Sequence, residues 1–396
     1  MVKVLFVNTV FGKGSTGRII KELGGAVERK GGKYRVAFGR GSMDDPHGYK
    51  IGNELDRHMH AFLSRLTDRS GFYSKRATRK LIKYIEAYNP DIIHLHNLHG
   101  YYINLPLLFA YLKQSFKGRI VWTLHDCWAF TGHCSYFTKN GCCKWETECY
   151  QCPQRNDYPK SWLVDSSTRN YRDKKSLFCG LENLVIVTVS EWLKRMAEKS
   201  FLGGYPIIRI YNGIDTSVFR PMESDVRIRL GLVNKKIILS VADGFDERKG
   251  LDRILETAAV APNDWVFLIV GIDKAKIKSF PERVIGLERV DNPQELIKIY
   301  SAANVFFNPS LEETFGLVTL EAMACGTSAV VMNSTACPEL IVSDSCGTVL
   351  PCKVSAEKTV SVLAAAMQKQ GARLAAFDFS LEKQCENYLS KLQIIM

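Results

Sequence analysis

The sequence predicts an α/β protein made of two doubly wound, parallel-sheet domains that face each other across a central cleft. Short runs rich in β-branched and aromatic residues alternate with longer helical patterns, and the alternation restarts near residue 205. Polar or glycine-containing turns follow several runs directly, where open parallel sheets bind their ligands. At 396 residues and 46% hydrophobic composition, the chain can fill two cores of roughly 100 to 200 residues each.

Lys3 to Asn8 reads as the first strand, Gly17 to Arg29 as a helix and Tyr34 to Phe38 as the second strand. A basic helical stretch, Arg57 to Lys83, comes next. Asp91 to His96, Ile120 to His125 and Leu184 to Ser190 are further strands, rich enough in β-branched residues to be buried and parallel with helical crossovers. Gly and Pro cluster in Leu202-Gly203-Gly204-Tyr205-Pro206, which marks the linker. Beyond it, Ile207 to Tyr211, Lys236 to Val241, Val266 to Val270, Val305 to Phe307 and Ser328 to Met332 read as strands between helices. The expected domains are residues 1–204 and 205–376. A last helix, capped by Ser380 and running through Leu381, Cys385, Tyr388 and Leu392, belongs to segment 377–396.

The formal charge of +12 is uneven. Residues 1–204 hold 32 Lys and Arg against 18 Asp and Glu, a net of +14, whereas residues 205–396 hold 21 against 23, a net of −2. The first half should therefore meet an anionic surface or phosphorylated acceptor. Arg57, Arg65, Arg69, Lys75, Arg76, Arg79, Lys80 and Lys83 surround the single acid Asp68 and interleave with Phe62, Leu63, Leu66, Phe72 and Tyr73. Such a segment can lie on anionic lipid headgroups, apolar side down, or be a pair of surface helices with a solvated basic face. No zinc-finger, RNA-recognition or helix-turn-helix pattern accompanies the charge, so nucleic acid is not the expected partner. No run of about 18 apolar residues exists to span a bilayer. The N-terminal strand lacks signal-peptide architecture, and a cytoplasmic protein with reduced cysteines is expected.

The densest chemistry lies in Asn308 to Gly326. A buried strand ends in Pro309-Ser310-Leu311-Glu312-Glu313-Thr314-Phe315-Gly316-Leu317, after which Leu317 to Ala324 reads as helix. Gly316 lets the backbone turn so that the N–H groups of Phe315, Gly316 and Leu317 can face a diphosphate, aided by the helix dipole. Glu313 and Glu321 bracket that turn and can accept hydrogen bonds from sugar hydroxyls. This string resembles the donor-site signature of retaining glycosyltransferases of family 4, which have the GT-B fold of two Rossmann-like domains. The resemblance implies that Glu313 contacts the donor sugar near its reacting carbon and that Glu321 binds the nucleotide ribose.

Two more stretches are similar to that family. Gly12-Lys13-Gly14-Ser15-Thr16-Gly17-Arg18 follows the first strand and looks like the glycine loop over the donor diphosphate, with Gly14, Ser15, Thr16 and Gly17 as contacts; Ser15 stands where a second glycine is common. Arg248 and Lys249, after the Lys236 to Val241 strand, resemble the cations that neutralise the leaving diphosphate. The family usually has an Arg a few residues earlier, where this chain has Ala242-Asp243-Gly244. His125, before Asp126, matches a histidine that reaches the donor sugar's hydroxyls. His96, Asn97 and His99 are candidates for the acceptor side. His94 and His96 share a strand face, a spacing that suits metal or plain structural histidines.

Residues 133–153 carry five cysteines. Cys149 and Cys152 form a Cys-x-x-Cys pair, and Cys134 with Cys142 or Cys143 completes four thiolates for a structural zinc; packing thiols or a redox pair are the competing readings. The stretch Trp128 to Cys134 through Cys152-Pro153-Gln154 resembles family 4 enzymes of colanic-acid and capsular polysaccharide assembly. Altogether the resemblance implies a cytoplasmic, peripheral retaining hexosyltransferase. It would move sugar from a UDP- or GDP-sugar to a lipid-linked oligosaccharide by front-side attack, without catalytic metal. A sugar-nucleotide 2-epimerase on the same scaffold, and a non-enzymatic scaffold, are the alternatives.

Overall fold

The computed structural model describes residues 1–41 and 45–392. The chain divides into two compact units, Met1–Tyr211 with Cys385–Met396, and Asn212–Gln384. In the first, the chain order is β1 (Lys3–Val10), α1 (Gly14–Arg29), β2 (Lys33–Arg40), β3 (Gly48–Lys50), α2 (Glu54–Thr67), α3 (Lys75–Tyr88), β4 (Ile92–Leu95), α4 (Leu105–Gln114), β5 (Arg119–Leu124), α5 (Ser167–Phe178), β6 (Leu184–Thr188), α6 (Glu191–Lys199) and β7 (Ile207–Arg209). The second runs α7 (Val226–Arg229), β8 (Lys236–Val241), α8 (Leu251–Val260), β9 (Trp265–Val270), α9 (Lys274–Ile277), β10 (Val284–Leu287), α10 (Pro293–Ala302), β11 (Val305–Asn308), α11 (Leu317–Ala324), β12 (Ala329–Met332), β13 (Gly347–Leu350), α12 (Ala356–Ala366) and α13 (Ala372–Ala376). Helix α14 (Leu381–Lys391) starts in the second unit and ends in the first.

Each unit is a Rossmann-like α/β domain. The first sheet has strand order β3-β2-β1-β4-β5-β6-β7 and the second β10-β9-β8-β11-β12-β13, with every named pairing parallel. Strands of this kind are apolar on both faces because helices cover both. Phe6, Ile93, Val121 and Ile186 are fully or almost fully buried in one sheet, and Leu239, Phe267, Phe306 and Val330 in the other. Helix α1 lies on the first sheet through Ile19, Ile20, Leu23 and Val27. Gly24 permits that approach, since a Cβ there would come 2.4 Å from the Tyr34 ring.

The restart expected at residue 205 comes later. Ile207–Arg209 pairs in parallel with β6, Ile186 opposite Ile207, so it closes the first sheet rather than opening the second. The Gly-Pro segment before it is the turn into that strand, and Pro206 O accepts from Ile186 N–H at 2.9 Å. Three strands had no expectation: β3, β10 and β13 are edge strands of three or four residues, each with a glycine. In α14, Tyr388 is buried against the first sheet, its hydroxyl 3.0 Å from Thr123 Oγ1 and its ring 5.5 Å from that of His94. Residues 393–396 of the expected terminal segment lie outside the described residues.

The basic stretch forms α2 and α3, as its pattern suggested, but with different residues outermost. Leu63, Leu66, Phe72 and Tyr73 are half-buried, and Arg69 lies 3.6 Å over the Phe72 ring. Phe62 is exposed together with Leu55 and Met59, so α2 shows solvent an apolar stripe at i, i+4 and i+7. Among the described residues no helix is long and apolar enough to cross a membrane.

Candidate active site

The carboxyl ends of β1, β4 and β5 gather four histidines of the first unit, His94, His96, His99 and His125. His96 follows β4, and its Nδ1 is 2.9 Å from Nε2 of His125, which follows β5; the two rings stack at 5.2 Å. His94 is buried one pleat away, bonded through Nε2 to Thr123 Oγ1 at 2.8 Å. His99 Nε2 lies 2.7 Å from Asp126 Oδ2, and its Nδ1 is 3.0 Å from the Tyr158 hydroxyl. Residues 96–99 and 122–126 with Trp128 and Ala129 line a small open depression.

Asn8, the polar residue that ends the apolar run Val4 to Val7, ties this cluster to the glycine loop. Its side chain accepts from Asn97 N–H at 3.2 Å and donates to Thr16 Oγ1 at 3.2 Å. Gly14, Ser15, Thr16 and Gly17 form the first turn of α1, three residues earlier than expected, and Lys13 at the cap gives no side-chain hydrogen bond. The first amides of the helix therefore keep their donors for other acceptors. A Cβ on Gly17 would sit 3.1 Å from Gly12 N, which keeps the loop tight.

Burial dominates the electrostatics here. It pushes His94 down to about 3 and His125 to about 4, and holds His96 well below the ordinary imidazole range. Burial also works to raise Asp126, but the adjacent His99 and the Trp128 N–H outweigh it and keep the carboxyl below its usual range. His60 is likewise pushed by burial to about 3. These imidazoles are neutral when folded, whereas the unfolded chain takes up protons near pH 6.5. Stability is then complete above pH 6.5. Below it the unfolded state binds more protons, and His60, His94 and His96 each cost about 1.4 kcal/mol per pH unit. His133, raised against burial by Asp68, has already gained its part below pH 6.5 and adds no slope there. The thermal midpoint should fall from pH 6.5 to 5 and fall less steeply in His94→Gln; a midpoint flat to pH 5 would contradict neutral buried imidazoles.

In the second unit the chemistry sits at the carboxyl ends of β8 and β11, neighbours in the sheet. The turn after β8 is a 3-10 segment, Glu247–Lys249, capped by Asp246, which accepts from Lys249 N–H at 2.9 Å. Arg248 O accepts from Leu311 N–H at 2.9 Å, stitching that turn to the loop after β11. The consequence is direct: Lys249 Nζ lies 2.5 Å from Glu313 Oε1, both side chains mostly buried. Lys249 and Glu313, expected to act on separate parts of a donor, form one ion pair in this structure.

Glu313 is held from the next turn as well. Its N–H donates to Thr335 Oγ1 at 2.9 Å, and its carbonyl accepts from Ala336. Thr335 has φ +49°, a left-handed conformation that a β-branched residue rarely adopts and that costs about 1–3 kcal/mol. Gly316, at φ +98°, starts α11, beside buried Phe315 and half-buried Leu317. Glu321, on that helix, is buried and accepts from the Tyr300 hydroxyl at 2.9 Å. Where the family pattern has an earlier Arg, Asp243 pairs with Arg289 at 2.6 Å. Sequence reasoning missed Asn8, Tyr158, Arg289, Tyr300 and Thr335. Only Asn8 had a visible signal, a lone amide ending an apolar run.

Cys134 and Cys149 are buried, Cys142 and Cys152 half-buried and Cys143 exposed; all twelve cysteines are free. Among the described residues no group of three or more His, Cys, Asp or Glu is arranged to hold a metal ion as it stands.

Comparison with known proteins places this geometry. WcaC of Escherichia coli strain K12, assigned as a colanic acid biosynthesis glycosyl transferase, is 23% identical over 266 residues, 64% of this chain and 62% of that protein. D-inositol 3-phosphate glycosyltransferase 1 of Catenulispora acidiphila is 33% identical over 141 residues, 31% of this chain and 34% of that protein. The chain thus spans less than two thirds of the length of these curated relatives. The structure of sucrose-phosphate synthase from Thermosynechococcus elongatus superposes with a TM-score of 0.71 at 17% identity, covering 99% of this chain and 98% of that one. Anabaena HepE in complex with UDP-glucose does so with a TM-score of 0.67 at 15% identity over the whole of both chains. At such identities the likeness is one of fold, and the fold is GT-B. Residues 224–384 match the family described as Glycosyl transferases group 1. Residues 16–218, just over half of the sequence, match Glycosyltransferase Family 4, and the chain belongs to that family.

Proposed function

We propose that the protein is a retaining glycosyltransferase that moves a sugar from a UDP- or GDP-sugar onto a lipid-linked oligosaccharide at the cytoplasmic face of a membrane, in capsular or exopolysaccharide assembly. The observation that carries the reading is the Lys249–Glu313 pair beside the N-terminal turn of α11. It sets a fixed cation and a carboxylate within one contact of each other at the carboxyl edge of a parallel sheet, where such folds bind phosphorylated ligands. HepE is described with UDP-glucose and WcaC with colanic acid, which supports the donor class and the pathway class.

In this reading Arg248, Lys249 and the amides of Phe315, Gly316 and Leu317, all in the second unit, hold the donor diphosphate. Glu321, oriented by Tyr300, takes the ribose. Glu313 meets the donor sugar near its reacting carbon, and in the first unit His96, Asn97 and His99 offer contacts for an acceptor. The acceptor oxygen bonds to the anomeric carbon on the face the leaving group departs from, the carbon–oxygen bond to the diphosphate breaks, and the acceptor proton passes to a phosphate oxygen. Cations fixed around the leaving group stabilise the charge it gains. No protein nucleophile and no catalytic metal enter this scheme.

Incubation of the full chain with a panel of UDP- and GDP-sugars and a bacterial lipid extract tests the reading. It predicts extract-dependent release of nucleoside diphosphate with sugar label in the lipid phase and retained anomeric configuration. Release without any extract-dependent product, or epimerised sugar made without acceptor, would refute it.

Membrane docking rests on the first unit's surface. Met59, Phe62, Trp162 and Leu163 are exposed, the Phe62 and Trp162 rings meet edge to face at 6.1 Å, and Arg65 lies 5.5 Å over Trp162. Lys75, Arg76, Arg79, Lys80 and Lys83 are exposed along α3. Apolar side chains entering the headgroup layer beside cations each worth about 1 kcal/mol give salt-sensitive binding. The protein should sediment with phosphatidylglycerol vesicles, and the double variant Phe62→Glu, Trp162→Glu should bind roughly tenfold or more weakly. Equal sedimentation of wild type and variant would exclude this face.

A further inference from the structure

We propose that Cys134, Cys142, Cys149 and Cys152 bind one zinc ion that fixes the wall of the first unit next to His125 and Asp126. This goes beyond the donor chemistry above and does not depend on it. The segment between β5 and α5 is long and nearly without regular structure, holding only the 3-10 turns Trp128–Phe130 and Lys144–Glu146. Long irregular segments that pack this well usually carry a staple. Phe137 and Trp145 are buried in it, yet none of its five cysteines is in a disulfide.

The thiols already neighbour one another. Cys134 and Cys152 are hydrogen-bonded side chain to side chain, and Cys149 interacts electrostatically with Cys134, Cys142 and Cys152. Cys143, the competing fifth thiol, is exposed. Cys149 Sγ accepts the Gly132 N–H at 3.2 Å. A Cβ on Gly132 would stand 2.7 Å from Cys149 Cβ and 2.2 Å from Ser167 O, so only glycine lets the backbone come this close.

Two buried groups supply the second observation. Lys174 is fully buried, and its ammonium donates to the carbonyls of Trp128 at 2.8 Å and Thr131 at 3.0 Å while resting 3.5 Å over the Trp128 ring. Cys149, Cys134, Asp126 and Asp68 are the acidic groups around it, and four thiolates around a dication would give it a net negative neighbour. His133 is bound through Nδ1 to Asp68 Oδ1 at 2.5 Å, its Nε2 is buried without a partner, and Cys152 is among the groups that act on it. The Asp68 carboxylate fixes the His133 ring and leaves its Nε2 as an unused polar atom in this buried wall. An all-thiolate tetrahedral set selects zinc. The bonds Cys127 N–H to Ser135 O and Thr131 Oγ1 to Cys134 O carry the restraint to the residues after Asp126.

Elemental analysis of the full chain, purified without a histidine tag and dialysed against EDTA, tests the proposal. About one zinc per chain is expected, released by an organomercurial. Metal content should fall about tenfold or more in Cys149→Ser, Cys152→Ser and stay whole in Cys143→Ser. Cobalt substituted for zinc should give the absorption bands of a tetrahedral four-thiolate site. Metal-free wild-type protein whose four thiols react freely with a disulfide reagent would overturn the proposal, as would zinc retained in the double variant. A cobalt spectrum of three thiolates and one imidazole would overturn the ligand set.

Discussion

Replacing Lys249 with methionine is expected to remove most of the stabilisation that a nucleoside diphosphate gives the folded chain. The Nζ of Lys249 is placed by the Asp246 cap on its own turn and by the bonds from the Leu311 segment to Arg248 O. Losing one charge-assisted phosphate contact costs about 1.5 to 3 kcal/mol, or roughly 10- to 150-fold in affinity. Because a ligand raises the unfolding midpoint through its affinity for the folded state, the UDP- or GDP-induced shift at about ten times the wild-type Kd should fall to roughly a third or less. The unliganded variant should also melt lower, since Glu313, only 12% exposed, is left without its cation. A wild-type nucleotide shift in Lys249→Met would show that the phosphates bind elsewhere.

Glu313→Gln should separate binding from chemistry. The amide keeps the size and a hydrogen-bond acceptor but loses the charge next to the reacting carbon, and turnover should drop about 100- to 1000-fold. Nucleoside diphosphate affinity should hold or rise, because Lys249 is released from an ion pair that competes with phosphate. Rate of diphosphate release and nucleotide affinity, measured on the same preparation, check both halves. Near-wild-type turnover, or a loss of nucleotide affinity as large as in Lys249→Met, would contradict the assignment.

Much of the second unit's site was legible because buried β-branched runs end abruptly in polar turns. Val241 leads to Arg248 and Lys249, and Asn308 leads to Glu313 and Gly316, so strand ends announced the polar loops. The pairing of Lys249 with Glu313 was not legible. The two residues lie 64 apart and meet only because β8 and β11 are adjacent, a strand order that no local pattern encodes. Tyr300 reaches Glu321 from another helix for the same reason. Thr335 defied its own propensity, since a β-branched residue is a poor candidate for a left-handed turn.

In the first unit, β1, β4 and β5 and the histidines after them followed from the apolar runs. Tyr158 did not, because it arrives at His99 from an irregular loop 59 residues away. The domain restart was misplaced for a physical reason too. Ile207–Arg209 is as apolar as an opening strand, and only its pairing with β6 shows which sheet it completes. The basic stretch gave its helices correctly but not its outward face, because Leu63, Leu66, Phe72 and Tyr73 found partners that periodicity alone does not reveal.

Calorimetric titration of the full chain with UDP, GDP and ADP is the most direct test of the phosphate grip at the end of β8. One of these nucleotides should bind at a single site, and the double variant Arg248→Ala, Lys249→Met should abolish the heat while remaining folded by circular dichroism. Absence of binding by all three, or binding that stays as tight in the double variant, would contradict the account.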